Sequence, residues 1–439
     1  MKASDVNINS IHGTTYYVSP DGEDSNSGTE PENPIKTLSR IEKLSLTPGD
    51  AVLFQRNGVW RGSLHAKEGV TYGAYGNGDK PRIYGSKQNY AAPSLWMQTD
   101  AANVWSCKEE LKNVGIVVFN PSYEIGEKTD TVGQMRVPGY GEFQDYHQLD
   151  GDLQYYTDKE SKTLYVYSEK GNPGERFDAI EIGDYGNIIK NTSCTTIDNI
   201  CFMFGGSHGI GSKTAHDVTV RNCVFAWIGG SILSGTTRYG NAIEIFGGCD
   251  GFYVYNNYIY QIYDTGITFQ SNTDIDSPQS NVDIYDNLIE HCHWSIEFYN
   301  YPKTFGFDKK VSDVDIHHNL IRYNGYGWGS VTRQSTSEAI KSCGMSDTVS
   351  NFVIRENISD LSLGYHVSMQ DLSGDRQVEF QNNTYYQSVG YPWMIIGGQR
   401  YSFDSVDDAK RISTTLLEEL NPTIYERHLE NSGKMTGNS

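Results

Sequence analysis

The sequence predicts an all-β solenoid of stacked coils, and three observations carry that prediction. First, one short phrase recurs down the second half of the chain: apolar, any, apolar, two polar residues, Asn, any, apolar. It reads Phe252, Tyr253, Val254, Tyr255, Asn256, Asn257, Tyr258, Ile259, and then Val282, Asp283, Ile284, Tyr285, Asp286, Asn287, Leu288, Ile289. It returns with Asn319, Asn357 and Asn383 in the Asn slot, so the slots at 257, 287, 319, 357 and 383 are 30, 32, 38 and 26 residues apart. Weaker copies put Cys223 and Ile200 in that slot. Second, the alternation inside each copy is that of a strand, and a period in this range built on strands marks stacked β-coils. Third, hydrophobic residues make up only 37% of 439, with Gly 45 and Tyr 31, which suits a thin core wrapped by long polar loops.

Length and charge narrow the partners. A solenoid grows in one dimension, so this length needs no division into separate globular domains. Thirty-five basic against 55 acidic residues give a net charge of −20. Nucleic acid and anionic membranes are therefore poor partners. A polyuronate or sulfated glycan is disfavoured more weakly, because a local basic cleft can override net charge. The seven cysteines (Cys107, Cys194, Cys201, Cys223, Cys249, Cys292 and Cys343) form no CxxC pair and show no metal-type spacing. They read as reduced thiols in or near the core, with no metal and no cofactor expected. The first residues lack the apolar stretch of a signal peptide and no segment is apolar enough to span a bilayer. The expected location is cytoplasmic, the alternative being export with the leader removed; oligomeric state is left open.

Along the chain, residues 1–85 read as an N-terminal strand, a capping helix and a first coil. Tyr16, Tyr17 and Val18 run into a dense turn at residues 19–29. Ile35, Leu38, Ile41 and Leu44 then recur at helical spacing after Pro34, giving a short amphipathic helix suited to plug the open end of a coil stack. Ala51, Val52, Leu53 and Phe54 start the first coil. Residues 86–185 break the repeat and read as an inserted, mostly β subdomain. In it, residues 153–158 and 163–167 alternate about a turn at residues 159–162, the pattern of a hairpin. Regular coils are expected to resume near Ala179, Ile180, Glu181 and Ile182, with the main coils at 186–400. A helix at residues 412–420 and a disordered tail are expected within 401–439.

The opening (Tyr16, Tyr17, Val18, Ser19, then Asp24, Ser25, Asn26, Ser27, Gly28, Thr29, then Lys36, Thr37, Leu38, then residues 48–54) resembles the N-terminus of bacterial right-handed parallel β-helix proteins. With the Asn-bearing coils, the resemblance covers about three quarters of the chain. It implies a right-handed parallel β-helix of the pectate-lyase-like superfamily. It also implies carbohydrate chemistry: glycoside hydrolases, polysaccharide lyases and some epimerases. No family residue carries over one for one, so the site is argued from the stack.

Aligning on the Asn slot also aligns a second strand: Ala242-Ile243-Glu244-Ile245, Gly266-Ile267-Thr268-Phe269, Ser295-Ile296-Glu297-Phe298, Ala339-Ile340-Lys341-Ser342 and Tyr365-His366-Val367-Ser368. The isoleucines face inward, so the next residues, Glu244, Thr268, Glu297 and Lys341, form one outward column at the strand spacing of ~4.8 Å. Two glutamates two coils apart, with Asp264 at the entrance to the strand between them, bring three carboxylates together. Glycosidases need two carboxyl groups roughly 5–9.5 Å apart, and clustering raises the pKa of one member, as a general acid requires. Glu244, Asp264 and Glu297 are therefore the candidate catalytic residues. Loops at residues 229–241 and 301–312 are long enough to wall a cleft. Trp227, Tyr239, Tyr263, Trp294, Phe298, Tyr299 and Tyr301 lie in the neighbourhood as aromatic platforms for sugar rings. Arg238, Tyr239, Asn241, Gln270, His293, Trp294, Tyr299, Lys341 and His208 are the candidate substrate-binding groups, with Asn300 nearby.

Other features read as scaffold. The Asn slots suit turn backbone. His317 and His318 point to opposite faces of a strand and do not suggest a metal. Asp21, Asp24, Asn26 and Gly28 resemble a calcium loop but lack its closing Glu. The function expected is hydrolysis of a neutral oligosaccharide or plant polysaccharide side chain. The runner-up is a lyase or epimerase on a uronate, with Lys341 or His293 as base. A third possibility is a glycan-binding solenoid without catalysis.

Overall fold

In a computed structural model, residues 11–123, 131–137, 141–333, 335–346, 348–371 and 374–427 are described. The expected disordered tail and the first ten residues lie outside them. Outside the insertion, three parallel ladders run along the stack of coils. Ile243–Tyr255 spans one corner: its first residues pair with Thr265–Ser271 and its last with Gln279–Tyr285, both parallel. Trp294–Asn300, Glu338–Met345, Tyr365–Met369 and Pro392–Ile396 extend the first ladder. Val311–His317, Val349–Arg355 and Val378–Gln381 extend the second. The third runs from Val224–Ile228 through Tyr258–Ile262 and Leu288–Glu290 to Leu320–Asn324 and beyond. One apolar core, from Val18 to Ile424, fills the interior, and Ile243, Ile267, Ile296 and Ile340 are buried in it as the register requires.

The Asn phrase is the pin of one corner. Asn257, Asn287, Asn319, Asn357 and Asn383 are at most 2% exposed. Each Oδ1 accepts from the backbone N–H of the ladder residue one coil earlier, and each Nδ2 donates to a strand carbonyl of the previous coil. The left-handed residue of this corner is the one before each ladder Asn: Asn256, Asp286, His318, Glu356 and Asn382 all have φ between 53° and 55°. The amide therefore serves its neighbours' backbone while the preceding residue makes the bend. Glu419 closes the ladder, accepting from Asn383 Nδ2 at 2.9 Å.

The insertion leaves and rejoins without breaking the stack. Arg82–Tyr84 pairs in parallel with Cys201–Met203, and Leu64–His65 with Ile189–Lys190. Between them, Tyr155–Asp158 and Thr163–Tyr167 form the expected hairpin, joined by Val104–Cys107 and Trp96–Gln98. Coils do not resume at Ala179. Ile180–Gly183 pairs antiparallel with Ile116–Phe119 in the insertion, and the parallel stack restarts at Ile189. The alternation of Ile180 and Ile182 is that of any half-buried strand and does not distinguish the two sheets.

Two helices differ from their expected extents. The first is a single turn, Leu38–Ile41, capped by Thr37 and burying Leu38 and Ile41 on the main core. The last is Val406–Thr415, not 412–420. Ser405 accepts from Asp408 N–H as its cap, and Glu418 takes φ 59°, after which Leu420 bridges to Gln381. Apolar Leu416, Leu417 and Leu420 mimic a helical stripe but return the chain to the stack. The acidic turn at residues 21–28 is a backbone cap, since the Asp24 carboxylate accepts from Lys36 N–H, Thr37 N–H and Thr37 Oγ1.

Asn319→Ala would strip acceptors from the buried Asn287 N–H and Nδ2 and a donor from Ile284 O. Unmet buried groups cost ~1–3 kcal/mol each, so chemical denaturation should show a loss of about 2–4 kcal/mol. A loss below about 0.5 kcal/mol, the usual range for surface changes, would remove the ladder from the account of stability.

Candidate active site

The register places the column as read. Gly211, Glu244, Thr268, Glu297, Lys341 and Ser368 are successive cross-strand partners in the first ladder. Although they point away from the core, Glu244 is 7% exposed, Glu297 5%, Lys341 6% and Asp264 5%. Loops bury them. A hairpin of Ile232–Ser234 and Thr237–Arg238 stands on one side. On the other, the helix Trp328–Thr332 and the segment after it fold across the column. Gly329 sits so close to Tyr263 that a Cβ there would meet its backbone oxygen at 2.4 Å. The insertion supplies Glu142, whose carboxylate accepts from Arg238 Nε at 2.9 Å.

Each carboxylate has its own surroundings. Glu244 Oε2 lies 2.8 Å from His208 Nδ1 and accepts from Asn241 Nδ2 at 2.9 Å; Oε1 accepts from Gln270 Nε2 at 3.3 Å. Burial opposes its charge, but His208, Asn241 and Gln270 outweigh it and hold the carboxyl below its ordinary value. Burial likewise opposes the charge on His208, and Glu244 more than offsets that, raising the imidazole. Asn241 N–H is directed at the same Nδ1 from 3.0 Å and donates to it when the ring is neutral. As an imidazolium, Nδ1–H donates to the carboxylate, which is the shorter contact.

Glu297 is held more loosely. Lys341 Nζ lies 3.3 Å from Oε1, Cys343 Sγ 3.4 Å from the same oxygen, and Thr265 Oγ1 donates to Oε2 at 3.3 Å. Asp264 is the odd member. Arg333 Nη2 lies 3.2 Å from Asp264 Oδ1, close enough for charge pairing but off the line of a hydrogen bond, so that buried oxygen has no donor. Burial pushes the Asp264 carboxyl up to about 6, Arg333 pulls against it, and the charge on Glu297 adds to the rise. A carboxyl group that keeps its proton up to about pH 6 thus stands beside two better-supported carboxylates.

Most sequence candidates meet here. Trp294 has the Arg333 guanidinium 4.3 Å and Lys341 Nζ 2.9 Å from its ring centre, and its Nε1 donates to Thr336 O at 2.9 Å. His293 is tied to Ser330 and Ser335 at 3.0 Å each, and burial holds it well below its ordinary value, leaving it neutral. Tyr299 is pushed up by burial beside Glu297, so its hydroxyl stays neutral. Half-buried Tyr239 packs its ring 6.4 Å from His208. Arg238 stands at the edge, lining with Glu142, Thr236, Thr237, Tyr263, Arg333 and Ser335 a cleft of about 270 Å³.

Some aromatics are core instead. Phe298 faces the interior with Ile296, two residues away on the same face, and stacks on Phe269. Trp227 packs on Tyr260, and Tyr263 joins the core of the insertion. Asn300 is also interior to its loop, donating to Ser277 O and Lys309 O. His317 pairs with Asp283 at 3.1 Å on another ladder. Arg333, Glu338, Thr336, Cys343 and Glu142 were not foreseen. The longest step between Asn slots, from Asn319 to Asn357, was the available signal for Arg333, because its extra residues are the covering segment.

No family model matches the chain. Over 111 residues, 22% of this chain, it is 36% identical to a lacto-N-biosidase of Bifidobacterium longum subsp. longum, and the chain spans 7% of the length of that curated relative. Among solved structures it is similar to the native GH136 lacto-N-biosidase from Eubacterium ramulus, at 14% identity and TM-score 0.43, covering 94% of this chain and 68% of that one. It is also similar to XylC in complex with xylose, at 13% identity and TM-score 0.43, covering 89% of this chain and 73% of that one. A rhamnogalacturonan lyase shares 11% identity at TM-score 0.38, covering 86% of this chain and 73% of that one.

The His208–Glu244 pair predicts a pH window. The raised His208 stabilises the fold fully below its ordinary 6.5 and ceases to as pH rises through its folded value. The lowered Glu244 stabilises it fully above its ordinary 4.5 and ceases to as pH falls through its folded value. His208→Ala, which leaves a buried carboxylate unpaired, should cost about 3–5 kcal/mol between those limits and less on either side. Denaturation of wild type and variant across pH measures this, and a difference that does not vary with pH would contradict the pairing.

Proposed function

We propose that the chain is a glycoside hydrolase acting on a neutral oligosaccharide or plant polysaccharide side chain. The observation that carries the reading is Asp264, its carboxyl raised to about 6, beside the loosely held Glu297. General acid and second carboxylate need different protonation states in one site. Asp264, with an oxygen that accepts no hydrogen bond, donates its proton to the leaving oxygen of the glycosidic bond. Glu297, whose contacts all lie at 3.3–3.4 Å, is the carboxylate free to exchange them for a water or the anomeric carbon. Glu244 is saturated by His208, Asn241 and Gln270 and serves to position sugar hydroxyls.

The choice of a neutral substrate rests on charge pairing. Lys341, Arg333, His208 and Arg238 are each engaged by a carboxylate: Glu297, Asp264, Glu244 and Glu142. When Asp264 holds its proton, Arg333 is the one of these four without a full counter-charge, and with the other three already paired a uronate carboxylate meets little positive charge here. The cleft is lined by Arg333, whose guanidinium also faces Asp264. The stretch of likeness to a lacto-N-biosidase supports a carbohydrate-directed reading.

Product analysis on a panel of neutral oligosaccharides and plant glycans tests this. Reducing-sugar release should fall by roughly 10²–10⁴-fold in Asp264→Asn and comparably in Glu297→Gln. Activity in the wild type should decline as pH rises through about 6, where Asp264 loses its proton. New absorbance from an unsaturated uronate would show elimination in place of hydrolysis. Glycan binding without release, unchanged by either substitution, would make the chain a binding solenoid.

A further inference from the structure

A second corner of the stack holds one residue that does not fit its column. Each coil bends there through a residue with positive φ: Gly69, Cys194, Asp217, Gly251, Asn281, Asp313 and Asn351. Cross-strand partners two residues on show that these positions are equivalent: Thr71 with Thr196, Thr196 with Thr219, Tyr253 with Asp283, Asp283 with Asp315, and Asp315 with Val353. Six of the seven are Gly, Asn or Asp, the residues that accept left-handed backbone at least cost. Cys194, at φ 55°, gains nothing from that conformation. Its sulfur, in contrast, has company. Glu68, one coil before, and His216, one coil after, each occupy the position just ahead of the bend, and their side chains close on the thiol. The carboxylate oxygen, Sγ and ring nitrogen all lie within 4.8 Å of one another.

We infer that Glu68, Cys194 and His216 form a divalent-metal site that takes zinc. Zinc binds thiolate sulfur at about 2.3 Å and imidazole nitrogen at about 2.0–2.1 Å in tetrahedral sites, so the sulfur and nitrogen of a zinc pair stand about 3.5 Å apart. Cys194 Sγ and His216 Nδ1 are 3.6 Å apart. Thiolate, imidazole and carboxylate together suit this borderline cation better than magnesium or calcium, which prefer oxygen alone. The backbone is fixed under the ligands: Cys194 N–H donates to His216 O at 2.8 Å, and His216 N–H to Ser193 Oγ at 3.2 Å. Asp217, whose Oδ2 lies 3.1 Å from the same His216 Nδ1, stands ready as fourth ligand. The metal would clamp three successive coils at the place where the insertion interrupts the chain between the first and second. Linear spacing does not reveal such a site, because its ligands come from three coils.

The site is separate from the carboxylate column, so its test is independent of glycan cleavage. The full chain, stripped with chelator, is titrated with zinc alone against a competing chromophoric chelator, and with cobalt(II) as a spectroscopic probe. One equivalent should bind, with a thiolate-to-cobalt charge-transfer band and a rise in melting temperature on adding zinc. Cys194→Ser should lose the band and the melting shift, and His216→Gln should weaken zinc binding at least about tenfold. Both side chains are partly exposed, so both variants should fold; their melting without metal checks this. Zinc binding unchanged in Cys194→Ser, or no stoichiometric binding by the wild type at micromolar zinc, would reduce the contact to a thiol–imidazole hydrogen bond and overturn the inference.

Discussion

Every coil of this protein must bring its backbone back to within hydrogen-bonding distance of the coil before it, about 4.8 Å away. That single requirement fixes which residues become neighbours. It forces left-handed residues at the corners, and in five successive coils it places a buried asparagine where the turn would otherwise leave backbone groups unmet. It also turns a position in the sequence into a place in a column. Residues separated by an insertion of about a hundred residues, such as Leu64 and Ile189, stand side by side as though the insertion were absent.

The chemistry depends on what covers that column. Carboxylates on the outside of a β-helix are ordinarily solvated, and solvated carboxylates have ordinary protonation. Here the hairpin before Asn241, the helix at Trp328–Thr332 and the insertion's Glu142 exclude water from them. Burying charge is costly unless it is paired, and each acid in the column has met a cation. The pairings are unequal, and that inequality sets Asp264 apart: it is deeply buried, its arginine is off-line, and a second carboxylate is close by. Raised ionisation alone does not mark such a site, since burial lifts the structural Glu419 to about 7; at Asp264 it coincides with neighbouring carboxylates in one column.

Much of this was legible from residues alone, because the repeat is its own ruler. The isoleucine alternation gives the inward face, and the Asn slots give the spacing that aligns Glu244, Thr268, Glu297 and Lys341 in one column. What escaped was whatever the ruler does not measure. Arg333 reaches Asp264 from a loop outside the repeat, and Glu142 reaches Arg238 from the insertion. Ile180 and Ile182 carry strand alternation that two different sheets could claim. Leu416 and Leu420 carry an apolar spacing that a helix and a returning chain share. Phe298 was counted with the platform aromatics although its parity with Ile296 already turned it inward. Local pattern names the element; only packing names its partner.

The account stands on the protonation of one carboxyl group, and that can be read without knowing the sugar. Infrared difference spectra of wild type minus Asp264→Asn, recorded across pH, isolate the carbonyl band of protonated Asp264. A titration midpoint at about 6 is the expected result. A midpoint at the ordinary 3.8 would mean that Asp264 is neither buried nor crowded as described, and the reading of this column as an acid-bearing active site would fail with it.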